Sequence, residues 1–434
     1  MTTILTVFSF VVLTQAFVFL LVENPDRRWV AKVTLFAWFL LFPLLSLVND
    51  WFPFSGGGDD SDYFIVAATQ FNSLKDYFDL NHFVGSMEQP GYPWLLAILY
   101  QFVGHELLAF KLVNLTFYIL LIPILYRIGM EIENGLLGRS MALGVLVMTP
   151  LWFYWMFLLK DITITFLQSL FLLGVVQISK KTRIFSWLLI LFSTLALIPF
   201  RSPLILINVA IIAGSLMLIF MRHGKQNPIL TILPVSIIVI GVILSVASNP
   251  ELLSKIGIYT EHRVIGSDSA MKTLTNIYEE SLMNRVLFPL LYLLSEISAL
   301  NPKNWADFTP STLRGVLTLP WIFVGVPLFL FGCLWLTGYD HQTMPRGSLI
   351  ARFKSMRFVA TPWGCVLVFI VIYVIASWSV GDTTRWRIPD MPAMSAVAVA
   401  GWMSLPPIMR MRILASWWIL AGILFSLFYL IREL

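Results

Sequence analysis

The composition of this 434-residue chain excludes an ordinary soluble domain, because 58% of its residues are hydrophobic and only 12% are charged. Soluble domains have roughly 45–50% apolar and about 25% charged residues, since a surface in water needs charge to cover it. The formal net charge of +5 does not indicate a nucleic-acid partner, because the basic residues fall in loops between long apolar runs. The cysteines, Cys333 and Cys365, both lie inside apolar runs, so neither a disulfide framework nor a thiolate metal site is indicated.

Apolar runs recur along the whole chain and are long enough to cross ~30 Å of hydrocarbon as helices. We therefore predict an all-α integral membrane protein, with a single polytopic domain over residues 1–434 and about twelve transmembrane helices. The predicted spans are 4–22, 30–48, 106–126, 140–157, 162–179, 185–200, 203–221, 229–247, 318–337, 358–378, 391–408 and 413–431. The first run has no basic segment before it and no small-residue cleavage site after it, which indicates a retained span.

Arginine and lysine are concentrated in one set of alternate loops. These loops contain Arg27, Arg28, Lys32, Arg127, Arg139, Lys180, Lys181, Arg183, Arg222, Lys225, Arg346, Arg352, Lys354, Arg357, Arg410 and Arg412. The positive-inside rule assigns this set to the cytoplasm. The alternation holds only if two short apolar stretches, Trp94–Val103 and Val286–Leu300, are interfacial or re-entrant helices. Two large loops, 49–105 and 248–317, then lie on the outer side and contain most of the acidic residues.

The first outer loop carries an acidic cluster directly after a predicted span. Asp59, Asp60 and Asp62 follow a run of glycines and precede Tyr63. Mutual repulsion and partial burial favour the protonated form of such carboxylates, which suits a general base or a cation site. A solvated acidic turn is the alternative interpretation. Further along the loop, Gln89 to Gly104 is typical of a turn into an amphipathic helix and includes Tyr92.

Four further outer residues carry charge at or near the ends of predicted spans. Lys160 and Asp161 form an ionisable pair that is a functional candidate, or else a snorkelling lysine with its counter-ion. Arg201 lies between two spans on the same side. Lys111 lies about one turn inside its span, and we expect it to snorkel to the surface or to pair with a carboxylate.

The last outer loop contains Arg385 and Arg387 on either side of Trp386, just before a predicted helix whose N-terminus faces outward. Guanidinium donors and the positive end of a helix dipole together favour a phosphate ligand. Because Pro389 and Pro392 disfavour helix before them, we expect an extended segment here, with both arginine side chains on one face. The outer face therefore combines carboxylates, cations and aromatic rings, which is typical of a transferase with a lipid-phosphate donor.

This arrangement resembles the polytopic glycosyltransferases of the GT-C fold that use polyprenyl-phosphate sugars. Its relatives there are the bacterial enzymes similar to protein O-mannosyltransferases and to the lipid A aminoarabinose transferase. Members carry an Asp in the first outer loop about four residues before a Tyr, which Asp59 and Tyr63 resemble. A glycine–tyrosine–proline stretch and an interfacial helix ending in glycine follow, as in Gly91-Tyr92-Pro93 and Gly104.

Later motifs continue the resemblance in the same order. Lys111 resembles a basic residue early in the next span, and Asp161 resembles a second Asp at the outer start of a later span. An Arg-aromatic-Arg-x-Pro-x-x-Pro motif matches Arg385 to Pro392. Three features depart from the family's pattern. The family often has Asp-Glu where this chain has Asp59-Asp60. This chain also has an extra amino-terminal span before the one that corresponds to the family's first span, and its 248–317 loop has no counterpart in the family.

The resemblance implies transfer of a sugar from an undecaprenyl- or dolichyl-phosphate carrier to a glycan, lipid or protein acceptor, with inversion at the anomeric carbon. Asp59 or Asp60 would be the general base, and Asp161 would orient the acceptor or hold a divalent cation. Arg385, Arg387 and Arg201 would bind the lipid phosphate. The protein would lie in the bacterial inner (cytoplasmic) membrane, with its active site facing the periplasm or exterior.

Two other function classes stay open at this point. A transporter or flippase for lipid-linked glycans would place ionisable residues near the bilayer midplane and show internal repeats, whereas here they lie at one interface. A polysaccharide polymerase with a lipid-diphosphate donor would share the outer arginines without requiring the Asp59–Tyr63 arrangement.

Overall fold

The computed structural model describes residues 2–56, 59–70, 91–103, 106–180, 184–201, 203–223, 308–338, 362–380 and 387–433. The α-helices are α1 (Thr2–Leu21), α2 (Arg27–Trp51), α3 (Asp59–Gln70), α4 (Gly91–Val103), α5 (Leu107–Ile132), α6 (Gly135–Leu146), α7 (Pro150–Met156), α8 (Asp161–Lys180), α9 (Ile184–Arg201), α10 (Leu204–His223), α11 (Pro310–Pro320), α12 (Val326–Leu336), α13 (Trp363–Val380), α14 (Met391–Ser404) and α15 (Pro407–Glu433). A π-helical turn, Trp321–Gly325, joins α11 to α12, and a 3-10 turn, Ile388–Asp390, precedes α14. The regular structure in these ranges is entirely helical, as predicted.

Six helical segments of the described chain are long and apolar enough to cross a membrane. They are Ile4–Leu21, Arg27–Trp51, Leu107–Ile132, Asp161–Lys180, Ile184–Arg201 and Pro310–Leu336. The bent pair α6–α7 would be a seventh. Leu204–Ile219 and Trp363–Ala376 are shorter apolar helices. These segments support an all-α membrane protein, while the number of about twelve spans stays a prediction because 229–247, for example, lies outside the described residues.

The predicted span 140–157 is not one continuous helix in the structure. The structure has α6 and α7 instead, bent by 59° at the break between them. Pro150 has no amide hydrogen and so favours the first turn of a new helix over the interior of a long one. The chain then leaves helical geometry again at Phe157, which is extended, and re-enters it at Asp161. This unwound stretch positions part of the candidate site.

Two other predicted boundaries differ from the structure. The span predicted to start at 318 begins at Pro310, where Thr309 caps the helix by accepting a hydrogen bond from the Thr312 amide. The last ten positions of the predicted 248–317 loop are therefore partly helical, and 248–307 lies outside the described residues. The predicted 391–408 span ends at Ser404, and α15 begins at Pro407, so prolines again mark the break.

Polar contacts lie in two belts at opposite ends of α5. At one end the Tyr126 hydroxyl donates to Asp26 Oδ2 over 2.6 Å, and Arg139 Nε donates to Asp26 Oδ1 over 3.1 Å. At the other end Lys111 Nζ donates to the Phe52 carbonyl over 3.3 Å. Lys111 and Tyr126 are about 22 Å apart along the axis at 1.5 Å per residue. Lys111, a candidate functional residue, and Arg139, a predicted cytoplasmic arginine, thus lie at opposite ends of α5.

Candidate functional site

The acidic loop after α2 is held by the carboxylate of Asp60. Oδ2 accepts from the Ser55 amide over 2.5 Å, and Oδ1 accepts from the Ser55 hydroxyl over 2.9 Å and from the Ser61 amide over 3.1 Å. Gly56 has a φ of +78°, which lets the chain turn back so that Ser55 meets the start of α3. Asp60 is buried, whereas Asp59, the first residue of α3, is partly exposed. The two neighbouring carboxylates therefore have different environments.

Tyr92 lies at the centre of the site. Its ring packs edge-on against that of Tyr63, with centroids 5.4 Å apart, and its hydroxyl donates to Asn114 Oδ1 over 2.9 Å. Burial raises the pKa of the Tyr92 phenol well above its usual value, so the hydroxyl keeps its proton and remains a donor. The charges of Asp60 and Asp161 both act on this phenol. Tyr92 is therefore within electrostatic range of both candidate carboxylates.

Gly91 allows α4 to approach α9 closely. A Cβ on Gly91 would lie 2.8 Å from the carbonyl carbon and oxygen of Pro199, which is shorter than real Cβ contacts. Because Pro199 is near the end of α9, this contact brings Tyr92 to the level of Arg201. The glycine–tyrosine–proline stretch thus has a packing role as well as a polar one.

Asn114 was missed by the sequence analysis and connects three parts of the site. Its Nδ2 donates to the carbonyls of Phe157 and Leu159 over 2.7 and 3.1 Å, and to that of Tyr154 over 3.4 Å. Its Oδ1 accepts from Tyr92. Asn114 therefore holds the unwound stretch before α8 against α4. An asparagine inside a predicted span was the available signal, because such a residue usually hydrogen-bonds between helices.

Lys111 is fully buried, so the expected snorkelling to the surface is wrong. Its Nζ donates to the Phe52 carbonyl and lies 5.2 Å from the centre of the Phe157 ring. Among the described residues it forms no ion pair within 4.0 Å, although the charge of Asp60 acts on it. The physical reason is packing: the end of α2 and the unwound stretch cover the lysine, and the backbone carbonyl replaces water.

Asp161 pairs with Arg201. The Arg201 Nη2 donates to Asp161 Oδ1 over 3.1 Å, and the side chains are 3% and 2% exposed, respectively. Lys160, the predicted counter-ion, lies with its Nζ 5.6 Å from the centre of the Tyr63 ring. Since a guanidinium has five N–H donors, the bond to Asp161 uses only part of the capacity of Arg201.

Arg387 is fully buried at the start of the 3-10 turn, which packs against α8 and α13. Its φ and ψ of −70° and −30° are helical, so the expected extended segment is wrong at this position. Pro389 fits because its fixed φ and missing amide hydrogen are tolerated in a first helical turn. Arg385 lies outside the described residues. Asp390, also fully buried, ends the same turn.

Arg314 of α11 is a further cation at this end of the bundle that the sequence analysis missed, since its position fell in the predicted loop. Its Nη2 donates to the Tyr154 hydroxyl over 2.9 Å. Its guanidinium carbon lies 5.6 Å from the ring centres of both Phe153 and Tyr154. Arg314 therefore fixes α11 against α7, beside the stretch that Asn114 holds.

The described part of the chain contains no group of three or more His, Cys, Asp or Glu side chains placed to hold a metal ion. Asp161, one of the predicted cation ligands, already has an oxygen engaged by Arg201. The predicted divalent cation therefore has no matching donor set among these residues.

Comparison with protein-family models, curated proteins and solved structures gives no match to this chain. The resemblance to GT-C glycosyltransferases stays a prediction made from the sequence motifs and their order.

Proposed function

We propose that this chain is a membrane glycosyltransferase that moves a sugar from a polyprenyl-phosphate carrier to a glycan, lipid or protein acceptor. The observation that supports this is a set of buried charged residues around Tyr92: Asp60 and Asp161 both act on its phenol, Asp60 also acts on Lys111, and Asp161 pairs with Arg201. Ionisable residues at membrane depth are costly and are usually retained for function. Carboxylates next to guanidinium groups suit a reaction that needs a base and an anionic leaving group.

In this proposal Asp59 is the general base. Both oxygens of Asp60 hold the turn at Ser55, so Asp60 positions the start of α3, and Asp59 presents its carboxylate from the first residue of the helix. Asp59 takes the proton of the acceptor hydroxyl while the oxygen of that hydroxyl attacks the anomeric carbon of the donor sugar from the face opposite the carrier phosphate. The bond from that carbon to the phosphate oxygen breaks, and the phosphate leaves with the electron pair.

Arg387 and Arg201 bind the departing phosphate in this proposal, with Arg385 as a further partner. Charge-assisted bonds from guanidinium groups match phosphate oxygens well, and one cation at ~4 Å and an effective dielectric near 20 contributes about 4 kcal/mol. Asp161 orients Arg201 through their ion pair, while Lys160 lies at the aromatic face of Tyr63. The proposal includes no step through a metal ion.

The test is a transfer assay with purified protein reconstituted in lipids of the bacterial inner membrane, where the proposal places this protein. Polyprenyl-phosphate glucose, mannose, galactose and 4-amino-4-deoxyarabinose are supplied with cell-envelope acceptors, and release of polyprenyl phosphate is measured. We expect release from at least one donor, and loss of release by at least a hundredfold in Asp59→Asn, the typical contribution of a general base. Asp62→Asn is the matched control, because Asp62 is exposed on the same helical turn.

The assay also separates the alternatives. A lipid-diphosphate donor in the same panel would be used by a polymerase, and a flippase would move lipid between leaflets without releasing any carrier. No release from any monophosphate donor, or full activity in both Asp59→Asn and Asp60→Asn, would contradict the proposal.

A further inference from the structure

Tyr373 of α13 has a buried hydroxyl that the protein itself does not satisfy. Its side chain is 0% exposed, and the hydroxyl has no hydrogen-bond partner among the residues that the structure describes. The ring packs against Phe369, with centroids 4.9 Å apart, so its position is fixed. Buried polar groups in native proteins are nearly always hydrogen-bonded, and an exception calls for an explanation.

Other buried tyrosines of the bundle differ from Tyr373 in this respect. The hydroxyls of Tyr92, Tyr118, Tyr126 and Tyr154 all have hydrogen-bond partners within the protein. Tyrosines of this bundle therefore normally satisfy their hydroxyls internally. A ligand that is bound only during function would explain why Tyr373 does not.

The surroundings of Tyr373 place it at the candidate site. Helix α13 packs against α8 and against the 3-10 turn that carries Asp390. The charges of Asp390 and Arg201 both act on the phenol. The phenol is thus within electrostatic range of Asp390 and of Arg201, which pairs with Asp161, and all of these side chains are buried.

The nearby carboxylate decides which part of a donor would suit this hydroxyl. An anionic phosphate oxygen at Tyr373 would be repelled by Asp390, whereas a neutral sugar hydroxyl would not. A sugar hydroxyl can also donate to one group and accept from another, which suits a phenol that lies within electrostatic range of a carboxylate. The guanidinium groups of Arg201 and Arg387 remain the better partners for the phosphate.

We propose that Tyr373 binds a hydroxyl group of the donor sugar and so contributes to the choice of sugar. This inference rests on the proposed function, in which the carrier phosphate binds at Arg201 and Arg387. Tyr373 is a binding residue here and takes no part in proton transfer. A site built to hydrogen-bond a substrate hydroxyl discriminates strongly against analogues that lack it.

The test compares wild type with Tyr373→Phe, which keeps the ring and removes only the hydroxyl. Dissociation constants are measured for polyprenyl phosphate alone and for the polyprenyl-phosphate sugar of the four-member panel that is transferred best. We expect Tyr373→Phe to weaken binding of the sugar donor about tenfold or more and to leave polyprenyl phosphate unchanged. Its melting temperature without ligand should stay the same or rise, because no protein hydrogen bond is lost.

Tyr118→Phe is the matched control, because the Tyr118 hydroxyl donates to the Val145 carbonyl and accepts from Trp152 Nε1. It should melt at a lower temperature and retain both dissociation constants. Unchanged donor binding in Tyr373→Phe, an equal loss for both lipids, or a lower melting temperature as in Tyr118→Phe would overturn the inference alone. Failure of the wild type to bind either lipid would overturn the proposed function and the inference with it.

Discussion

Arg201 and Asp161 form an almost completely buried ion pair between the end of α9 and the start of α8, with Nη2 and Oδ1 3.1 Å apart. From the sequence, the arginine was assigned to a phosphate and the aspartate to an acceptor or a cation. In the structure these two side chains bind each other, because a charge buried at this depth needs an opposite charge close by. Each side chain therefore supplies the opposite charge that the other needs and helps to orient it.

Single substitutions of this pair should destabilise the protein more than the double substitution does. Asp161→Asn or Arg201→Gln leaves one buried charge without its partner, at a cost of about 3–5 kcal/mol, whereas the double variant leaves none. Melting temperatures in detergent would measure this. Glu23→Gln is the control, because Glu23 pairs with Arg127 but is 74% exposed, and such pairs contribute about 0–1 kcal/mol. Additive losses in the double variant would mean that the two side chains act independently.

The Asp60–Ser55 contact gives a test of the proposal that Asp60 positions the turn while Asp59 is the general base. If Asp60 positions the turn, Ser55→Ala and Asp60→Asn should both lower kcat. The loss in Ser55→Ala should be about tenfold, as expected for one charge-assisted hydrogen bond. The double variant should lose less than the product of the single effects, because both act through one contact. Ser61→Ala should have little effect on this contact, since Ser61 reaches Asp60 through its backbone amide. Wild-type kcat in Ser55→Ala would remove the positioning role.

The sequence predicted which helix ends share a face, because basic loops alternate along the chain and the alternation fixes the direction of each span. It did not predict which side chains meet there. The pairing of Arg201 with Asp161 depends on the rotation and tilt of α8 and α9, and residue spacing within one helix carries no information about its neighbour. Whether the Lys111 side chain is buried likewise depends on how the end of α2 covers it.

The residues that the sequence analysis missed differ in how visible they were. Asn114 was detectable in principle, since an amide in an apolar span calls for an interhelical partner. The break at Pro150 was also detectable, because proline inside a long predicted helix favours a kink. Tyr373 gave no signal, because a tyrosine in a membrane span is common, and only its burial without a partner distinguishes it.

Asn114 should be among the most sensitive positions for stability. Asn114→Leu removes the donor that serves the carbonyls of Phe157, Leu159 and Tyr154, at a cost of about 1–3 kcal/mol for each buried group left unpaired. Asn114→Asp should be worse still, because a carboxylate would face the same carbonyl oxygens. Yield of monodisperse protein and melting temperature are the measurements. Tyr92→Phe, which removes one bond to Asn114 and keeps the others, should be milder, and the reverse order would contradict the role given to Asn114.

Topology can be tested with reporter fusions at positions on the two predicted sides. A fusion after Asp59 should report the outer compartment, and fusions after Lys181 and Lys354 should report the cytoplasm. The physical reason is the excess of basic residues in one set of loops. A Lys354 fusion that reports the outer side would mean that one of the short apolar stretches, Trp94–Val103 or Val286–Leu300, crosses the membrane. The later arginines would then lie on the opposite face from Asp59.

The polar belt at the other end of α5 should make stability depend on pH through Asp26. Hydrogen bonds from the Tyr126 hydroxyl, and then from the Arg139 guanidinium, hold the pKa of the Asp26 carboxyl below its usual range. Because the folded state binds this proton less tightly than the unfolded chain, the stabilisation is fully present above the unfolded pKa of about 3.9. It is lost as the pH falls through the lower pKa of the folded state.

Asp26→Asn should therefore melt at a lower temperature than wild type at pH 7, and the difference should shrink below about pH 4. Melting curves in detergent between pH 7 and pH 3 would measure it. Tyr126→Phe removes the hydrogen bond that is the largest cause of the lowered pKa of Asp26, and it should reproduce part of the same pH-dependent loss. A difference between wild type and Asp26→Asn that stays constant over this range would mean that Asp26 acts through packing. The ion pair with Arg139 would then contribute nothing measurable, as many surface pairs do.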